Sequence, residues 1–108
     1  NINKSINLIK PLGYFDFLKL QKNSKLILTD SGGIQEEACI LKVPCVTLRN
    51  STERPETVRV KSNIVSGYKE KNILENVNKM IKRKNSWRNP FGNGDSSNKI
   101  IKYLKKIT

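Results

Sequence analysis

The run Thr29-Asp30-Ser31-Gly32-Gly33-Ile34-Gln35-Glu36-Glu37-Ala38 carries residue types suited to holding an anion. Glycines let backbone N–H groups approach a bound oxygen, and a helix N-terminus adds partial positive charge. Ser31, Gly32 and Gly33 could hold a diphosphate through backbone N–H groups and the Ser31 hydroxyl; the same residues also suit an ordinary helix N-cap after a strand. The run is neither a G-x-G-x-x-G dinucleotide fingerprint nor a P-loop ending in G-K-[ST]. Glu36 and Glu37 could simply favour the first helical turn, or one of them could accept both hydroxyls of a ribose diol. Adjacent helical residues point about 100° apart, so only one of the two faces a ligand easily. Farther along, Thr52-Glu53-Arg54-Pro55-Glu56 offers Arg54 as a bidentate phosphate clamp, or as a surface ion-pair partner of Glu53 or Glu56. Tyr14 and Phe17 are candidates for the core or for stacking on a base. The chain has no histidine, the commonest general base, and no cluster with metal-ligand spacing.

These groups need elements to position them. Leu26-Ile27-Leu28 reads as the centre of a buried strand over Lys25–Thr29, and Gly33–Leu41 as a helix with Ile34, Ala38 and Leu41 facing the core. Val43–Leu48 is the next buried strand, with Pro44 near its start. Pro55 opens a helix to about Val60, and Asn63–Ser66 is a short strand. Upstream, Ile6–Ile9 is a strand candidate closed by Pro11-Leu12-Gly13, and Tyr14–Gln21 a short helix. Lys69–Lys84 is an amphipathic helix with the stripe Ile73, Val77, Met80 and Ile81, and basic residues at its C-terminal end. Asn85–Ser97 is a loop in which Trp87 packs locally beside Pro90. A final helix over about 97–107, capped by Ser96 or Ser97, places Ile100, Leu104 and Ile107 on one face. Strands alternating with helices predict an α/β fold with a Rossmann-like parallel sheet, flanking helices, and ligands at the C-terminal strand ends.

At 108 residues the chain suffices for one domain, here read as a single partial domain over 1–108. It begins with Asn1 and is expected to be a fragment or processed piece. No apolar run approaches the roughly 18 residues of a membrane span, and no signal-peptide pattern opens the chain. The formal charge is +12, from 21 basic and 9 acidic residues. Residues 69–108 hold 11 of the basic and 3 of the acidic residues, a balance of +8. Such charge permits nucleic-acid binding. But Lys outnumbers Arg 16 to 5, Asn occurs 13 times, and the stacking aromatics of RNA readers are missing. The charge is therefore read as solvated and compositional. Cys39 and Cys45 fit no metal spacing and read as reduced core thiols.

The order of these motifs resembles one family: Thr29–Ala38, then Arg49, then Thr52-Glu53-Arg54-Pro55-Glu56 are similar to the non-hydrolysing UDP-N-acetylglucosamine 2-epimerases. Pro11-Leu12-Gly13-Tyr14-Phe15-Asp16-Phe17 and Asn89-Pro90-Phe91-Gly92-Asn93-Gly94 agree. The resemblance covers nearly the whole chain but only the last third of the family's length. It implies the C-terminal, nucleotide-binding half of a two-domain GT-B architecture. The family interconverts UDP-GlcNAc and UDP-ManNAc by anti-elimination of UDP to a 2-acetamidoglucal, followed by re-addition. By resemblance, Ser31, Gly32 and Gly33 would hold the UDP phosphates, Glu37 the ribose hydroxyls, Arg54 would lie at the phosphates, and Phe17 near the uracil. The acid/base carboxylates and a functional histidine belong to parts of the family outside this segment, so the chain alone is expected to be inactive. The resemblance further implies a cytoplasmic homodimer in polysaccharide biosynthesis, with no cofactor, metal, nucleic acid or membrane. The chain departs from the family pattern at Asn93, where Asp is usual, and at Lys42 and Lys61, where Gly is common. Two rivals remain at this level. One is a UDP-sugar glycosyltransferase domain, disfavoured by the Thr52–Glu56 run; the other is a basic, noncatalytic nucleic-acid or interaction module.

Overall fold

The computed structural model describes residues 6–83, 85–91, 100 and 102. Three short parallel strands form its sheet: β1 (Ile27–Thr29), β2 (Cys45–Thr47) and β3 (Asn63–Val65), in the order β1-β2-β3. The register sets Thr29 beside Thr47 and Thr47 beside Val65, so the strands end level with one another. The helices α1 (Tyr14–Lys22), α2 (Gly32–Ile40), α3 (Pro55–Arg59) and α4 (Glu70–Ile81) accompany them among the described residues.

Each strand-to-strand link is a crossover, as parallel pairing requires. β2 is central and buried at all three residues, Cys45, Val46 and Thr47. Alternation puts Ile27, Cys45 and Asn63 on one face and Leu28, Val46 and Ile64 on the other. Helix α4 touches β2 and β3, which buries Val46. Leu28 on β1 remains 49% exposed. The expected buried strand over Lys25–Thr29 is thus an edge strand, with one face covered and its outer side unpaired among the described residues.

The core joins Leu18 of α1, Ala38 and Ile40 of α2, and Leu41, Val43, Cys45 and Ile100. Both cysteines are free and buried. Burial pushes the Cys45 thiol up to about 12, and burial likewise raises Cys39. Trp87 does not pack merely against Pro90. It is buried, its indole N–H donates to the Cys39 carbonyl at 2.9 Å, and its own carbonyl accepts from Lys42. The loop after α4 is thereby tied back to the end of α2.

Other expectations shift. Ile6–Ile9 forms no strand; Ile6, Leu8 and Ile9 are exposed, because nothing described pairs with their backbone. Helix α4 ends at Ile81, and of its expected stripe only Met80 is buried while Ile81 is exposed. The buried face of α2 contains Gln35, Ala38 and Cys39, whereas Ile34 is only half-buried. Lys42 and Lys61 both adopt positive φ, 64° and 66°. This explains why glycine suits those two helix ends: left-handed backbone crowds any Cβ. Of the final helix expected over 97–107, only Ile100 and Lys102 lie among the described residues, and Gly92-Asn93-Gly94 lie outside them.

Candidate functional site

The strands end at Thr29 and Thr47, and the loops that follow them meet above the N-terminus of α2. The first loop is only Asp30 and Ser31 long. Ser31 is the N-cap: its hydroxyl oxygen accepts from the Ile34 N–H at 3.4 Å, and its own N–H donates to the Thr29 hydroxyl at 3.1 Å. Gly32 and Gly33 are the first two residues of α2 rather than a turn before it. Their N–H groups sit at a helix start, where no carbonyl one turn earlier can take them. A Cβ on Gly32 would come no closer than 3.5 Å to its neighbours, and one on Gly33 no closer than 3.9 Å. Internal packing does not demand glycine here. Beside Gly32 lie the Arg54 guanidinium and, at 3.7 Å from that Cβ position, a Glu53 carboxylate oxygen.

Arg54 reaches this place from the loop after β2. The nearest atom to a Cβ on Gly32 is an Arg54 guanidinium nitrogen, at that same 3.5 Å. Its Nε donates to Glu36 at 3.2 Å, and Nη1 donates to the Glu53 carbonyl at 3.3 Å. The alternative reading of Arg54, a surface ion pair with Glu53 or Glu56, is not what the structure has. Glu53 pairs instead with Arg49 at 3.7 Å, and Arg54 with Glu36. Two of the five guanidinium donors are engaged, so the group can still offer a fork to an anion.

A buried polar network holds the Arg54 backbone. The Arg54 N–H donates to the Thr52 hydroxyl at 3.0 Å, and its carbonyl accepts from the Thr57 hydroxyl at 2.7 Å. Both hydroxyls lead to Asn63. Asn63 Nδ2 donates to Thr57 at 3.0 Å and to Gln35 Oε1 at 3.1 Å, while its Oδ1 accepts from the Thr47 hydroxyl at 2.6 Å. Gln35 Oε1 also accepts from Thr52. Gln35 is 0% exposed and Asn63 1%. Sequence reasoning missed Gln35, Thr47, Thr52, Thr57 and Asn63. The available signal was polar residues at strand and helix positions that otherwise read as buried.

Glu37 turns toward α1, away from the Arg54 side that Glu36 faces. Its Oε1 accepts from Gln21 Nε2 on α1 at 2.8 Å. Gln21 and half-buried Phe17 line a cavity of about 190 Å³ with Ile27, Thr29 and Ile34. The six residues singled out in the sequence therefore fall in two groups around α2. Ser31, Gly32, Gly33 and Arg54 converge at its N-terminus; Phe17 and Glu37 are linked through Gln21 on the α1 side. Among the described residues, no His/Cys/Asp/Glu group could hold a metal ion, and no helix is long and apolar enough to cross a membrane.

A parallel α/β sheet with flanking helices, and a helix start and an arginine together at its C-terminal strand ends, defines a Rossmann-like protein. Comparison with known proteins narrows this. The profile described as UDP-N-acetylglucosamine 2-epimerase matches residues 1–105, and the chain belongs to that family. It is 57% identical over 102 residues to UDP-N-acetylglucosamine 2-epimerase of Methanocaldococcus jannaschii, covering 94% of this chain and 28% of that protein. The Escherichia coli enzyme of the same name is 39% identical over 108 residues, covering 94% and 29%. The crystal structure of the M. jannaschii enzyme in complex with UDP-GlcNAc and UDP superposes with a TM-score of 0.83 at 56% identity, over 96% of this chain and 29% of that one. The Neisseria meningitidis enzyme bound to UDP-GlcNAc gives 0.72 at 38% identity, over 91% and 28%. The chain thus spans under a third of the length of these relatives, which fits a fragment of a two-domain enzyme.

Proposed function

We propose that this chain is the UDP-binding part of an enzyme that interconverts UDP-GlcNAc and UDP-ManNAc. The observation that carries the reading is the Arg54 guanidinium beside Gly32 at the N-terminus of α2, in a chain of the epimerase family. In the proposed reaction the C2 hydrogen leaves as a proton, its electron pair forms the C1–C2 double bond, and the C1–O bond breaks to release UDP. Re-addition reverses these steps with the proton returned to the other face. The part assigned to this chain is the leaving group. The α2 N-terminus, Ser31 and Arg54 would take up the diphosphate charge that grows as the C1–O bond breaks. Glu37 would accept the ribose hydroxyls, and Phe17 would lie against the uracil.

The edge of β1, with exposed Leu20 and Leu28 beside it, supports a partner region that completes the sheet, as does the share of the relatives that the chain spans. The other domain of the same enzyme would close over the sugar. The assembled enzyme is proposed to be a cytoplasmic homodimer; two free buried thiols suit a reducing compartment.

Isothermal titration tests the reading. UDP is expected to bind the chain at high-micromolar or weaker affinity, because the closing domain contributes nothing. A folded chain that ignores several millimolar UDP refutes the proposal. Within a binding chain, Glu37→Gln should weaken UDP by about 1 kcal/mol or more and leave 2′,3′-dideoxy-UDP nearly unchanged, since the latter offers no diol.

Catalysis is expected to fail in the chain alone. Moving a proton at C2 needs a positioned acid and base. The chain has no histidine, and its site carboxylates are committed elsewhere: Glu36 to Arg54 and Glu37 to Gln21. Proton NMR of UDP-GlcNAc in deuterated water should show no loss of the C2 hydrogen signal over a buffer control. Loss catalysed by the pure chain would place acid/base groups within it.

A further inference from the structure

Gln21 is 3% exposed, on α1 one turn after Phe17, beside a largely apolar cavity. Its cavity neighbours are mostly apolar, among them Phe17, Leu20, Ile27 and Ile34, with the hydroxyl residues Ser24 and Thr29. Its Nε2 donates to Glu37 Oε1 at 2.8 Å. A carboxylate oxygen only accepts, so the amide must present its NH₂ there. Its Oε1 is thereby turned the other way, where it is buried with no hydrogen-bond partner. Flipping the amide would set two oxygens against each other. The unpartnered oxygen is a consequence of holding Glu37. A buried acceptor without a donor destabilises a fold, and an apolar residue of similar volume would avoid it. A purely structural position would favour leucine or methionine.

We propose that Gln21 is a positioning residue: it fixes the Glu37 carboxylate in the one rotamer that presents it to the ribose diol of the bound nucleotide. This rests on the assignment of Glu37 to the ribose. An unrestrained glutamate populates several rotamers and must be ordered when ligand binds; Gln21 orders it beforehand. Because α1 also carries Phe17, the same helix sets the carboxylate in register with the aromatic side chain in the adjoining cavity. The diol still finds acceptor capacity, since each carboxylate oxygen has two lone pairs and Gln21 uses one.

The test titrates the chain and its Gln21→Leu, Gln21→Met, Glu37→Gln and Gln21→Leu/Glu37→Gln variants with UDP and with 2′,3′-dideoxy-UDP. Thermal melting is recorded for each. Either Gln21 variant should melt at or above the parent temperature, because the orphaned oxygen is gone. Either should bind UDP about 3- to 10-fold more weakly, the range for one hydrogen bond, and dideoxy-UDP within about twofold of the parent. The double variant should bind UDP no more weakly than Glu37→Gln alone, because Gln21 acts only through Glu37. Equal losses for both ligands, or an unchanged UDP affinity in Gln21→Met while Glu37→Gln loses its preference for the diol, would overturn the role of Gln21 alone. A Glu37→Gln variant that keeps the full preference for UDP over dideoxy-UDP would overturn the ribose assignment and this role with it.

Discussion

Arg54→Ala is expected to weaken UDP binding by about 1.5–3 kcal/mol, roughly ten- to a hundredfold, with little change for uridine. The size follows from a charge-assisted contact to phosphate at a helix start, where the helix contributes charge of the same sign. The selectivity follows from position: the guanidinium lies beside Gly32, and Arg54 is not among the residues that line the Phe17 cavity. The substitution also strips Glu36 of its cation, leaving a carboxylate whose side chain is only 19% exposed near the proposed phosphate site. Arg54→Lys separates the two effects. Lysine restores a charge without the planar fork, and should recover part of the loss. Glu36→Gln, which sequence reasoning alone would treat as silent, should weaken UDP modestly, because Glu36 fixes the guanidinium at 3.2 Å. Titration with UDP and uridine reads all three variants. Equal losses of both ligands in Arg54→Ala would assign Arg54 to the fold rather than to phosphate.

Asn63→Ala should lower stability by about 3 kcal/mol or more, measured by urea denaturation of the chain. One side chain bonds three buried partners, Thr47, Thr57 and Gln35; its removal leaves the Thr47 hydroxyl without its acceptor, takes one bond each from Thr57 and Gln35, and opens a cavity where water does not reach. The buried Gln35 Nε2 already lacks a partner, so the network has little slack to rearrange. A surface change such as Lys71→Ala should stay within about 0.5 kcal/mol. In any folded fraction of Asn63→Ala, UDP affinity should fall as well, because Thr52 and Thr57 then hold the Arg54 backbone less firmly. A denaturation midpoint equal to that of Lys71→Ala would show that the network contributes nothing.

Legibility in the sequence tracked how local the governing physics was. Pro55 opening α3, Ser31 capping α2 and the crossovers of a parallel sheet follow from residue types over a few positions, and the structure has all three. Pattern failed where burial depends on what lies opposite. Leu26-Ile27-Leu28 reads as buried from both sides, but α4 covers β2 and β3 and stops short of Leu28. Ile34 reads as core, yet Gln35 takes the buried place, since partners from β3 and the Thr52 loop satisfy its oxygen. No periodicity rule anticipates a buried amide whose partners lie 17 and 28 residues away.

For the site, the sequence by itself determined the inventory: an unsubstituted helix start, two glutamates set about 100° apart by helical pitch, and an arginine held before a proline. Their joint resemblance to one family also came from sequence, because order and residue type are properties of the chain. Only the tertiary structure decided the allegiances. Glu36 turned to Arg54 and Glu37 to Gln21, and a web centred on Asn63 clamped the loop that delivers the arginine. The reason is physical. A carboxylate or an amide has no preference along the chain beyond a turn or two; its partner is whichever donor or acceptor the fold brings within about 3 Å where water is excluded.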